Sequence, residues 1–211
     1  MSQQPSKKEK REAARSARVE AQRAREKARK RKKNVLLALL VIGALLLGAF
    51  GVNAYLNGKG KVKKDTAAAG CVDKEFKELN ASPHLEPSAP VPDYNSNPPT
   101  SGLHFDQTAP WGTSDETIED RMLVHNLEHG GLAIHYKDLP DDDVDALVDF
   151  VEDTYEDGVI AHPNDQIKST IAIAAWGHLR TCESYNQNAV RAFIKARCNK
   201  GPEKQGLKCA A

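Results

Sequence analysis

The sequence predicts an α+β domain with a small mixed sheet covered by helices, preceded by one transmembrane helix. Three observations predict it. Val35 to Leu56 runs for 22 residues without a charge. Charge divides across that run: Met1 to Asn34 carries a net of +10 and the remainder −9, which leaves +1 for the whole chain. From Thr117 onward the apolar spacing switches between helical and strand periods in the order helix, strand, helix, strand, strand, helix. The expected organisation is a basic cytoplasmic segment over 1–34, a transmembrane helix over 35–56, a linker over 57–70 and an extracytoplasmic domain over 71–211.

Lys7 to Lys33 is rich in Ala, Arg, Lys and Glu, which are good helix formers. No aromatic residue or apolar stripe interleaves its charges, so it reads as a topology anchor on the membrane surface, and nucleic acid is not expected as a partner. At 1.5 Å per residue the uncharged run spans about 33 Å, the thickness of a hydrocarbon core. The cluster Arg29-Lys30-Arg31-Lys32-Lys33 abuts it and keeps the N-terminus inside, outweighing Lys59, Lys61, Lys63 and Lys64 on the far side. A cleaved signal peptide fits poorly, because the run is too long and the basic leader too extended. Ala68-Ala69-Gly70-Cys71 lies too far past the run to be a lipidation site.

Asn57 to Ala69 reads as a linker. Phe76 to Asn97 holds Pro83, Pro87, Pro90 and Pro92, which exclude a helix interior and favour extended chain, with Leu85, Val91 and Tyr94 available as anchors. Thr117 to His129 is a helix stopped by Gly130-Gly131. Leu132 to Tyr136 is a strand. Pro140 to Glu156 is the clearest helix: Asp141-Asp142-Asp143 suits a positive helix start, Val144, Leu147, Val148, Val151 and Tyr155 share a face, and Asp157-Gly158 ends it. Val159 to Ala161 and Ile171 to Trp176 are strands. Ser184 is placed to cap a last helix over Tyr185 to Arg197, with Ala189, Val190, Phe193 and Ile194 inward. Trp111 and Trp176 read as packing residues.

All four cysteines, Cys71, Cys182, Cys198 and Cys209, fall on the outer side of the proposed span, where an oxidising compartment permits disulfides. Four cysteines allow three pairings. A straight helix between Cys182 and Cys198 holds them too far apart to be joined, which disfavours that pair.

The chemistry concentrates in two short segments. His125-Asn126-Leu127-Glu128-His129 places two imidazoles one helical turn apart, on one face. Pro98-Pro99-Thr100-Ser101-Gly102-Leu103-His104 supplies a third imidazole behind a flexible turn. Three imidazoles and an open position suit zinc or copper(II), and the absence of Met after Met122 argues against a thioether copper(I) site. The expected metal site is therefore His104, His125 and His129. Glu128 and Ser101 are expected as supporting residues, and His135 as a substitute ligand. The competing reading makes the same residues a polar core that pins the two segments together, with no ion.

Enzymatic readings are weaker. His-x-x-Glu-His is the inverted zinc-peptidase pattern, with Glu128 as general base. That class needs the helix to continue and a further acidic ligand. Here Gly130-Gly131 interrupts at once, and Glu183 is the only late carboxylate near a helix start. Ser101 has no Gly-x-Ser-x-Gly elbow, and no Cys-x-x-Cys motif supports redox exchange. His162 and His178 read as loop or core histidines, His84 has no evident partner, and the aspartates at 141–143 need no calcium to explain them.

Asn97-Pro98-Pro99-Thr100-Ser101-Gly102-Leu103-His104 and Leu123-Val124-His125-Asn126-Leu127-Glu128-His129-Gly130-Gly131 resemble the two signature stretches of a bacterial family known as domain of unknown function 3105 (DUF3105). Leu103 stands where that family is expected to place Pro. The resemblance implies an N-terminal membrane helix and importance for both motifs. It implies no activity. On these grounds the chain is expected to be a single-pass membrane protein whose outer domain binds a transition metal, for storage, delivery or sensing.

Overall fold

A computed structural model describes residues 51–209 continuously, together with Lys27, Lys33, Gly43, Leu45, Leu47 and Gly48. Two compact units separate, Met1–Gly58 and Lys59–Ala211. In the first, residues 51–58 are helical. Most of the expected membrane span, 35–56, lies outside the described residues. Among those described, no helix is long and apolar enough to cross a membrane.

The second unit contains a six-stranded mixed sheet in the order β1-β6-β5-β3-β4-β2. Its strands are β1 (Val72–Glu75), β2 (Gly112–Thr113), β3 (Leu132–Tyr136), β4 (Val159–Pro163), β5 (Ile171–Ala175) and β6 (His178–Cys182). Three helices follow β1 in the same unit: α1 (Asp120–Glu128), α2 (Asp141–Thr154) and α3 (Gln187–Arg197). β3 and β4 run parallel, joined through α2, and β2 runs parallel to β4. The remaining pairs are antiparallel. Residues 59–68 are helical where composition suggested a linker.

Alternation along the central strands builds a core on each face. Leu132 and Ile134, Val159 and Ala161, and Ile171 and Ile173 point to one side, where Leu147, Phe150 and Val151 of α2 and Val190, Phe193 and Ile194 of α3 cover them. Ala133, Ile160, Ala172 and Ala174 point to the other, where they meet Leu123, Val124 and Leu127 of α1, with Trp176 and Leu179. The first core carries the sulfurs: Cys71 is bonded to Cys182, and Cys198 to Cys209. The disfavoured Cys182–Cys198 pairing is absent.

Several elements differ from the sequence reading. The strand His178–Cys182 was not expected. It forms a hairpin with β5 across Trp176-Gly177, and Gly177 takes φ 68°. Its alternation is hidden by a charge in an apolar position. Arg180 is buried because its guanidinium meets both Asp73 carboxylate oxygens at 2.6 and 2.7 Å, donates to the Ala189 carbonyl at 2.7 Å, and lies 5.0 Å from the centre of the Phe193 ring. α3 starts later than expected, and Asn186 rather than Ser184 caps it, accepting from the Ala189 amide at 3.1 Å. α1 is shorter than the expected Thr117–His129 at both ends. Val91 is 67% exposed and anchors nothing, whereas Tyr94 packs on the second core and its hydroxyl donates to the Leu103 carbonyl at 2.8 Å.

The Arg180 pair is asymmetric, because Asp73 is half exposed while the guanidinium is not. Arg180→Ala strands a buried carbonyl and is expected to cost roughly 2–3 kcal/mol. Asp73→Ala leaves the buried guanidinium without its counter-charge, and is expected to cost more, roughly 3 kcal/mol or above. Urea unfolding of both variants checks this, and the reverse ranking contradicts it.

Candidate functional site

Two irregular segments, around His84 and His104, are tied to each other and to α1. The Phe105 amide donates to the Arg121 carbonyl at 3.1 Å, which ties the segment around His104 to α1. The Leu85 amide donates to the His104 carbonyl at 2.7 Å, part of an isolated parallel bridge between Leu85 and Phe105. That bond carries His84 to the side of His104. Arg121 reinforces the arrangement, lying 4.2 Å from the centre of the Phe105 ring and donating to the Ala89 carbonyl at 2.6 Å.

The motif residues without titratable groups act as fasteners. Asn126 makes a two-way bond with the Ala109 backbone, accepting at 2.8 Å and donating at 3.0 Å. The Ser101 hydroxyl accepts from the Leu79 amide at 2.9 Å, and the Thr100 carbonyl accepts from the Gly177 amide at 3.0 Å. Gly131 is required by close approach: a methyl group on it would overlap the Trp111 ring.

The result is a cluster of His84, His104, His125 and Glu128, whose donor atoms all lie within 4.8 Å of one another. The His104 ring is fully buried, and its environment fixes its tautomer. Nδ1 faces the Gly102 carbonyl at 2.8 Å and can only donate to it. Neutral His104 therefore presents an unprotonated Nε2, which lies 3.1 Å from Oε2 of Glu128. Two acceptors at that distance need a proton or a cation between them. His84 approaches the same oxygen with Nε2 at 3.9 Å, while its Nδ1 faces Asp106 at 3.3 Å. His125 is buried, and its Nδ1 has no hydrogen-bond partner among the described residues. The His84, His104 and His125 ring centres lie 4.9 to 5.0 Å apart. Burial holds His125 below the usual imidazole range, helped by the neighbouring rings of His129, His104 and His84 and opposed by Glu128. It is therefore held in the neutral form that binds metals.

Of the expected ligands, His104 and His125 stand in the cluster and His129 does not. His129 occupies the C-cap of α1, with its ring centre 4.6 Å from that of His125. Its Nδ1 is engaged by the Gln205 amide at 2.9 Å, with Glu203 at 3.4 Å. His84, which spacing did not single out, completes the cluster. No sequence signal marks it, because the bridge at Leu85 that delivers it joins chain segments twenty residues apart. Ser101 supports the Leu79 turn and makes no bond to Glu128.

His135 is elsewhere. It sits opposite His162 in the β3–β4 register, with ring centres 4.5 Å apart, and its Nδ1 meets the Asn164 amide at 3.1 Å. His162 accepts from the Ile118 amide at 3.1 Å, and its Nε2 is buried without a partner. His178 pairs with Arg197 at 3.1 Å. Both His135 and His162 belong to the sheet core, as a structural histidine would.

These features define an α+β domain with a histidine–carboxylate cluster at the end of one helix. The profile of the family described as "Protein of unknown function (DUF3105)" matches residues 84–211, a span that opens on His84 and contains the whole cluster. The chain belongs to that family. No match is found among curated proteins or among solved structures.

Burial pushes the His162 ring from the ordinary 6.5 down to about 4. The unfolded chain therefore takes up a proton between those values that the folded chain refuses. This contribution to stability is whole above pH 6.5 and is lost as pH falls toward 4, by on the order of 3 kcal/mol. His162→Gln is expected to flatten that part of the profile, as read from urea midpoints at pH 7 and 4.5. An unchanged slope counts against a neutral buried ring.

Proposed function

We propose that this protein is a membrane-anchored, extracytoplasmic metal-binding domain that holds one transition-metal ion through His84, His104, His125 and Glu128. The observation that carries the reading is the facing pair at the centre of the cluster. With Nδ1 donating to the Gly102 carbonyl, neutral His104 turns Nε2 as an acceptor toward a carboxylate oxygen 3.1 Å away, a pair that a cation can bridge. Donors bound at 2.0–2.2 Å to a tetrahedral ion stand about 3.3 Å apart, so an ion fits this pair with little movement. The carboxylate at His84 Nδ1 and the carbonyl at His104 Nδ1 are the partners that metal-ligating imidazoles usually have on the far nitrogen. Three imidazoles and one carboxylate suit zinc or copper(II). His84 is 41% exposed, which leaves a path by which an ion enters and leaves, and favours storage, delivery or sensing over a sealed structural site.

Two further considerations support the outer location. The paired cysteines suit an oxidising compartment. The uncharged run over 35–56, flanked by a basic cluster, has the length and polarity of a single N-in span, and Leu45, Leu47, Val52, Tyr55 and Leu56 within it are exposed as lipid-facing residues would be. Hydrolysis is disfavoured, because Glu128 faces two imidazoles and is better placed as a ligand than as a free general base.

The full chain purified in detergent is expected to bind one equivalent of Zn²⁺ or Cu²⁺ in competition with a chromophoric chelator. His104→Ala is expected to lower affinity by more than about 100-fold, and Asp106→Asn, which touches only the far side of His84, by about 10-fold. Binding is expected to weaken in acid, because metal ligation needs deprotonated ligands. Absence of binding by either metal leaves the alternative, in which the cluster is a proton-sharing polar core that joins the two motifs.

A further inference from the structure

The chain after α3 folds back over the end of α1. Cys198 ends α3 and is bonded to Cys209, 11 residues on. The loop between them is braced from within by Asn199. This residue takes φ 58°, accepts from the Leu207 amide at 2.8 Å and donates to the Leu207 carbonyl at 2.8 Å.

From this brace the loop reaches the site. The Asn199 amide donates to the Gly130 carbonyl at 2.8 Å, and the Glu203 amide to the Glu128 carbonyl at 3.0 Å. A methyl group on Gly201 would overlap the Glu128 carbonyl oxygen and meet the Gly130 amide nitrogen at 2.5 Å. Gln205 holds His129. The last carbonyls of a helix lack partners within it; those of His125, Asn126 and Leu127 accept from the amides of His129, Gly131 and Gly130, and the returning tail supplies the partner of the last one, Glu128. Glu128 is the anionic member of the cluster, and its place along the helix axis depends on these bonds.

We propose that the loop over 199–205, closed by Cys198–Cys209, is a positioning clamp for the cluster: it seats Glu128 and the end of α1 before an ion arrives, so oxidation of this cysteine pair precedes tight metal binding. The inference rests on the metal reading given above. The second disulfide is a built-in control. Cys71–Cys182 joins the edge strand β1 to β6, and no residue of the cluster lies on either strand.

The test compares three variants of the full chain: Cys198→Ser with Cys209→Ser, Cys71→Ser with Cys182→Ser, and Gly201→Ala, which perturbs the clamp with both disulfides intact. In Zn²⁺ competition, the first and third are expected to weaken binding by about 10-fold or more. The second is expected to stay within about twofold despite its own loss of thermal stability. Equal losses from both disulfide variants, or none from Gly201→Ala, overturn the clamp. A second readout needs no metal. Amide exchange over Leu127 to Gly131 is expected to quicken in the first and third variants and to hold in the second; unchanged exchange also overturns the clamp. A wild-type chain that ignores zinc and copper while showing this exchange pattern refutes the metal reading and leaves the clamp standing. Should the Cys198/Cys209 variant fail to fold, Gly201→Ala carries both measurements.

Discussion

The contact between His104 and Glu128 joins everything that gives this domain its character. One partner comes from an irregular segment rich in proline and glycine, the other from the last turn of a helix, and neither is exposed to enough water to be indifferent to the other. Burying a carboxylate is costly unless its charge is answered. Here imidazoles from three chain segments surround it, each held by backbone bonds, and a proton or a cation between Glu128 and His104 answers the charge. The Gly102 carbonyl removes the freedom that a histidine normally has to switch tautomers, and so turns a side chain into a directed donor atom.

The sheet explains why the cluster lies where it does. Two helices cover one face fully, and the disulfides reinforce that side. The opposite face carries alanines at positions 133, 172 and 174, so α1 and the proline-rich segment come close to the strands. That segment has few ladder bonds of its own and is secured by side chains instead: Asn126, Ser101, Tyr94 and Arg121. A chain held in this way follows the shape of what it covers, and three imidazoles from distant positions meet over one helix end.

The seven histidines separate by environment rather than by spacing. Three gather with Glu128 at the end of α1, a fourth, His129, lies beside them and is held by Gln205, two face each other inside the sheet, and one pairs with an arginine. The sheet pair is pushed toward neutrality by burial with no carboxylate to oppose it. The cluster differs because carboxylates lie against its rings, Glu128 on one side and Asp106 on the other. The carboxylates beside its rings separate the cluster from the packed histidines of the sheet.

The sequence by itself determined the elements whose signals are local. The long amphipathic helix over 141–154, the apolar strands, the division of charge and the two motifs are legible because periodicity and capping operate within a few residues. It also disfavoured the Cys182–Cys198 pairing, since helix length is a local quantity. Only the tertiary structure decided the rest. The strand carrying Arg180 was hidden because its inward charge is answered by Asp73, 107 positions away. His84 entered the cluster, and His129 turned toward the tail, through backbone bonds between segments that share no pattern. Spacing on one helix shows which residues share a face, but not which chain from elsewhere arrives to meet it.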